Sequence, residues 1–215
     1  MNPTHCSVPG ISATHVKSAT RIANKVISQS AILLLLLTLA AISIPASAQD
    51  LPAAASVLQP QAYVSLQPVP RGHAFELAVV AKISPGFHIN AHVPSEDYLI
   101  PTKVTAELPP GLFVVETNYP RGVMRAFSFS KTPLRVYEGS FTILMKLRTN
   151  GTAPVGHQKI NLTVGYQACN QDACLPPTKI PVVAELEIAA ADTAAKPAHP
   201  EIFSSGAGEK TAAKP

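Results

Sequence analysis

From residue 59 to residue 189, apolar residues recur at every second position, and proline or glycine interrupts the pattern at short intervals. Phe75, Leu77, Val79 and Ala81 share one face of a run, and Glu76, Ala78, Val80 and Lys82 share the other. Tyr63, Ser65 and Gln67 alternate with Val64, Leu66 and Pro68 in the run before it. Thr102 to Leu108, Leu112 to Val115, and Ile160, Leu162, Val164 and Tyr166 repeat the same spacing. Side chains of a strand point alternately to opposite faces, so this period predicts strands with one face on a core. Pro181 to Ile188 makes the last strand, through Val183, Leu186 and Ile188. Leu134 to Leu147 is the longest run, broken at Glu138-Gly139, where a bulge is expected. Ser84-Pro85-Gly86, Pro109-Pro110-Gly111 and Asn150-Gly151 are turn signals, and Glu116 to Ser130 reads as a loop or an extended hairpin. No long amphipathic helix is visible. The expectation is an all-β, antiparallel sandwich.

The chain has 215 residues, but not all of it enters that fold. Ala31 to Ile44 is uncharged and rich in leucine, Lys17, Arg21 and Lys25 precede it, and Ala46-Ser47-Ala48 follows. That order is a secretory signal, cleaved after Ala48. The apolar run is shorter than the roughly 20 residues that span a bilayer, and contact with a membrane is expected only if the segment is not cleaved. Residues 49–58 then form a lead-in, residues 59–189 the folded domain, and residues 190–215, rich in Ala, Lys and Pro, a disordered tail. Three of the seventeen basic residues lie in the leader. Fourteen remain against thirteen acidic ones, a net charge of +1. So small a charge excludes the long-range field that a nucleic-acid binder uses. Export places the domain in an oxidising compartment, where a cysteine pair can exist as a disulfide.

Cys6 goes with the leader, so the exported chain keeps two cysteines, in Tyr166-Gln167-Ala168-Cys169-Asn170-Gln171-Asp172-Ala173-Cys174-Leu175-Pro176-Pro177. Three chemistries fit them. A structural disulfide would brace a hairpin, although so short a loop stabilises by only about 2 kcal/mol. A metal site would need His88 or His92 beside the sulfurs, but the spacing is not that of common zinc sites. A redox dithiol would exchange with other proteins: a thiolate attacks a foreign disulfide, and the second cysteine then releases the mixed species. Pro176 and Pro177 would stiffen the exit from the turn.

Tyr166-Gln167-Ala168-Cys169 and Cys174-Leu175-Pro176-Pro177-Thr178-Lys179 resemble the cysteine segment of the N-terminal periplasmic domain of the DsbD thiol:disulfide interchange family. Gly86 to Ala91, Tyr98 to Thr102 and Val136 to Gly139 resemble it in the same order, so the similarity runs from Val57 to Ile188. The resemblance implies an immunoglobulin-like sandwich with the cysteines at a hairpin end, in the periplasm, with no bound cofactor and no metal. It implies a thiol:disulfide oxidoreductase that takes reducing equivalents from a separate membrane electron donor. Thioredoxin-like periplasmic proteins, such as disulfide isomerases and cytochrome c maturation factors, would receive them. Cys174 would bond to partners and Cys169 would resolve the bond. A cap over the pair would come from Glu116 to Pro120, with Glu116, Asn118 and Tyr119 as its candidates, and His88 and Asn90 would lie beside the sulfurs. The alternative is a non-catalytic interaction module whose cysteines are a local staple.

Overall fold

The computed structural model describes residues 51–203; the leader and residues 204–215 lie outside them. A 3-10 turn at Ala54–Ser56 precedes β1 (Leu58–Val64), β2 (Leu66–Gln67), β3 (Val69–Pro70), β4 (Ala74–Ile83), β5 (His88–Asn90), β6 (Lys103–Glu107) and β7 (Leu112–Asn118). Then come β8 (Val123–Arg125), β9 (Leu134–Tyr137), β10 (Ser140–Thr149), β11 (Gly156–Tyr166), β12 (Ala168–Cys169), β13 (Thr178–Ala189), β14 (Lys196–Pro197) and a short helix α1 (Pro200–Phe203). Among the described residues no helix is long and apolar enough to cross a membrane.

The strands form four sheets, ordered β1-β4-β10-β7, β3-β13-β11-β6, β12-β5-β9-β8 and β14-β2. The period-two faces of the sequence are the buried faces of the two largest. Leu77 and Val79 on β4, Ile143 and Leu147 on β10, and Ile160 and Val164 on β11 are all fully buried, and they join one apolar cluster. Each such side chain contributes about 1.5–3 kcal/mol by leaving water. Every pairing within these two sheets is antiparallel except β13 with β3.

Several expectations shift. The run from Leu134 to Leu147 is not one bulged strand. It breaks at Glu138-Gly139, where β9 leaves the small cysteine-bearing sheet and β10 enters the sheet of β4. Gly139 takes φ +65° there, a conformation that costs glycine little. The irregularity within the run comes later, between Lys146 and Leu147. On β13 the buried face is Ala184, Leu186 and Ile188, and Val183 is 46% exposed. The lead-in folds too: Val57 and Leu58 are buried in the core, so order begins before residue 59.

Part of the expected tail, up to residue 203, is ordered; the remainder lies outside the described residues. β14 pairs with β2, Ala198 N–H donates to Ser65 O at 2.8 Å, and the His199 ring meets Tyr63 edge-on at 4.9 Å. Backbone hydrogen bonds hold this segment, which is why its poor apolar content did not reveal it.

Gly111 closes the turn before β7 at φ +79°, and a Cβ built there would lie 2.7 Å from the backbone N and Cα of Ala153. Backbone cannot step aside as a side-chain tip can. Gly111→Ala should therefore destabilise the domain by about 2 kcal/mol or more, left-handed strain included, measured by urea denaturation. An unchanged midpoint would show that the turn relaxes freely.

Candidate functional site: a half-buried disulfide under an aromatic loop

The alternation of β11 ends at Tyr166, whose ring is buried and whose hydroxyl donates to Ala54 O at 2.7 Å. The next residues form β12, which pairs with β5 so that Ala168 faces Ile89 and Cys169 faces His88. The chain then reverses. Asn170 Oδ1 accepts from the N–H groups of Asp172 and Ala173, both at 2.8 Å. An asparagine side chain that bonds the backbone two residues on is a local turn-former, and here it shapes the whole loop. Asn170 N–H donates to Ala173 O at 2.9 Å and Leu175 N–H to Ala168 O at 2.8 Å. Cys169 and Cys174 are thereby set directly opposite each other and joined by a disulfide. The exit is held by buried Leu175 and by Gln167 Nε2 donating to Leu175 O at 3.3 Å. Pro176 and Pro177 themselves are exposed.

The two sulfur-bearing residues are unequal. Cys169 is 2% exposed, whereas Cys174 lies open on the turn. Asp172 and Gln171 are exposed beside it.

The segment that reaches this turn joins β8 to β9. Ser128 Oγ donates to Gln171 O at 3.2 Å. Phe127 is buried and stacks on the His88 ring at 4.0 Å, and Phe129 stacks on Phe127 at 5.3 Å. Beneath, Phe127 joins Leu99, Leu134 and Val136 in a small apolar cluster separate from the main core.

His88 is 3% exposed, and its Nε2 has no hydrogen-bond partner. Burial pushes its pKa below the ordinary 6.5, with Glu138 pulling weakly the other way. Such a histidine takes up a proton more readily in the unfolded chain. Stability contributed by His88 is complete above pH 6.5 and is lost as the pH falls from 6.5 toward the lower folded value. Thermal midpoints should fall over that window, and His88→Phe should flatten this part of the profile. An unaltered slope in the variant would assign the acid sensitivity elsewhere.

Asn90 is also buried and committed: its Nδ2 donates to Ile100 O at 3.0 Å, and its main-chain O accepts from Thr102 Oγ1 at 2.6 Å. It fixes the loop after β5. Glu116 lies exposed on β7 opposite Lys146, and Asn118 ends that strand opposite Leu144. Tyr119 is half-buried, stacks on His92 at 3.5 Å, and accepts from Val104 N–H at 3.0 Å through its hydroxyl. Of these three only Tyr119 lines a cavity of about 630 Å³, with His92, Arg121, Arg135 and Tyr137 but neither cysteine. His88 is thus brought to the disulfide, and the contacts of Tyr119 run elsewhere. Phe127, Ser128 and Phe129 were not foreseen. Their only signal is two phenylalanines flanking a serine in a stretch with no periodicity.

Among the described residues no group of three or more His, Cys, Asp or Glu is placed to hold a metal. The site is a disulfide on a mostly β-sheet domain, with one cysteine buried and the other exposed. Residues 54–184 match the family described as the N-terminal part of thiol:disulfide interchange protein DsbD. The chain belongs to that family, and the domain is of a periplasmic type. Among solved structures it is similar to the N-terminal periplasmic domain of ScsB from Proteus mirabilis, at 10% identity and a TM-score of 0.43, covering 67% of this chain and 51% of that one. A family 123 glycoside hydrolase from Clostridium perfringens follows at 7% identity and a TM-score of 0.21, covering 59% and 27%. The chain thus spans about half of the ScsB domain it matches. No curated protein matches it.

Proposed function

We propose that this domain relays reducing equivalents through Cys169 and Cys174 to thioredoxin-like periplasmic proteins, using electrons from a separate membrane donor. In its reduced form the Cys174 thiolate attacks a partner disulfide. A mixed disulfide forms, and one partner sulfur leaves as thiolate. Cys169, losing its proton, attacks Cys174 Sγ, closes the internal bond and expels the second partner sulfur. Two electrons pass to the partner and two protons balance its thiols. The architecture in this reading is an immunoglobulin-like sandwich, with the cysteine turn at one end of its sheets.

The observation that carries the reading is the unequal exposure of the two cysteines. A partner needs one sulfur it can reach, and clean release needs a second it cannot trap. A staple needs no such asymmetry. The test is equilibration of the folded domain with glutathione and with a reduced thioredoxin-type protein. The pair should titrate well above the roughly −300 mV at which structural disulfides resist glutathione. A bond left intact by the thioredoxin-type reductant overturns the relay and leaves a stapled interaction module.

A further inference from the structure

Three residues lie in one rung of the small sheet. His88 faces Cys169 across β5 and β12, and Cys169 faces Cys174 across the turn. Residues directly opposite in an antiparallel pair project to the same face, with Cβ atoms about 4.5–5.5 Å apart. His88 therefore projects to the same face as Cys169, on the far side of it from Cys174. Asn90 shares that face of β5, but its amide is taken by Ile100 O. The polar atom left over on this rung is His88 Nε2, buried and unpartnered.

An unpaired buried polar atom costs free energy, and it invites a partner the oxidised state does not supply. A disulfide sulfur has no proton to give; a thiol has. We infer that His88 Nε2 is the base that accepts the Cys169 thiol proton when the mixed disulfide resolves. The inference rests on the exchange reading above and deepens it at one atom.

The need arises from burial. A thiol among apolar atoms resists ionisation, yet only the thiolate attacks a disulfide. Burial also keeps the imidazole neutral at pH 7, with its lone pair free. Proton transfer from Cys169 Sγ to Nε2 creates a thiolate and an imidazolium side by side in a poorly solvated place, where their attraction is strong. The thiolate then bonds to Cys174 Sγ, the partner sulfur leaves with the electron pair of the broken bond, and the imidazolium returns its proton to that sulfur or to water. The charged groups near His88 are few. Glu138 is paired with Arg125 at 2.8 Å, Asp172 is out on the turn, and Tyr137 faces Ile89 on the other face of the sheet.

The test uses the reduced domain and one equivalent of 5,5′-dithiobis(2-nitrobenzoate), followed by stopped flow. Attack by Cys174 releases one coloured thiolate, and closure by Cys169 releases the second. In the wild type the second phase should be level from pH 7 to 8 and fall at lower pH in step with the His88 ring, followed by NMR. In His88→Phe, which keeps a ring against Phe127, closure should slow about a hundredfold at pH 7. It should also rise about tenfold per pH unit, because hydroxide alone must now remove the proton. His88→Gln should behave alike and guards against a packing artefact. Second phases within twofold of wild type, with an unchanged pH profile, overturn the inference. So does a wild-type inflection that ignores the His88 titration, a readout that needs no variant to fold. The reagent demands only the two cysteines, so this outcome is independent of whether thioredoxin-like proteins exchange with the domain.

Discussion

A Cys169→Ser variant will accumulate a mixed disulfide with a thioredoxin-like partner through Cys174, and Cys174→Ser will accumulate essentially none. The contrast follows from where the two residues sit. Cys174 is on the open turn, whereas Cys169 is 2% exposed between His88 and the turn backbone. A foreign disulfide must bring its sulfur into line with the attacking one, and the folded chain leaves room for that only at Cys174. Without Cys169 the intramolecular release step is gone, so the adduct persists. Non-reducing electrophoresis and mass spectrometry of the adduct read the result. Equal trapping by the two variants would mean that the burial difference does not direct the chemistry.

Phe127→Ala should speed attack of a small thiol on the sheltered Cys169 about a hundredfold, read as the rate at which adduct forms on that residue by mass spectrometry. The Phe127 ring covers His88, stacks on Phe129 and fills the cluster of Leu99, Leu134 and Val136. Removing a buried phenylalanine costs about 3–5 kcal/mol where it is fully enclosed. On a loop the figure is smaller, and about 2–3 kcal/mol of lost closure corresponds to roughly a hundredfold more open loop. Because that cluster is separate from the main core, global unfolding should move much less than the rate of that attack. Equal rates for wild type and variant would show that the loop does not guard Cys169. Ser128→Ala, which removes only the hydrogen bond to Gln171, should act in the same direction and more weakly.

The strands of the main core were legible because each has one buried face, and a period of two records that directly. Phe75 to Ala81 and Ile160 to Tyr166 are the clearest cases. β13 shows the limit of the signal. Val182 and Val183 are adjacent and equally β-branched, so alternation alone does not decide which points inward; Ala184, Leu186 and Ile188 decide it. Nor does a pattern say which sheet a strand joins, which is why the passage from β9 to β10 at Gly139 looked like one strand. The cysteine turn stood out from its residues alone; family resemblance pointed to His88, which pairs with Cys169. It also pointed to Tyr119, whose stacking partner proves to be His92. The aromatic cover at Phe127 comes from a nonperiodic loop, and its contact with His88 depends on tertiary packing that no local pattern encodes.

The way the two ends of the domain are tied has a mechanical consequence. The chain enters beside the sulfur pair, since Ala54 O accepts from Tyr166 and Val57 O from Ser84 N–H. β13 then runs its twelve residues away from the turn, about 35 Å at strand rise, before the chain comes back along β2 to Ser65 and Tyr63. Cargo fused ahead of residue 51 would crowd the approach to Cys174. Cargo fused after residue 203 would hang from the β1 flank, where His199 meets Tyr63.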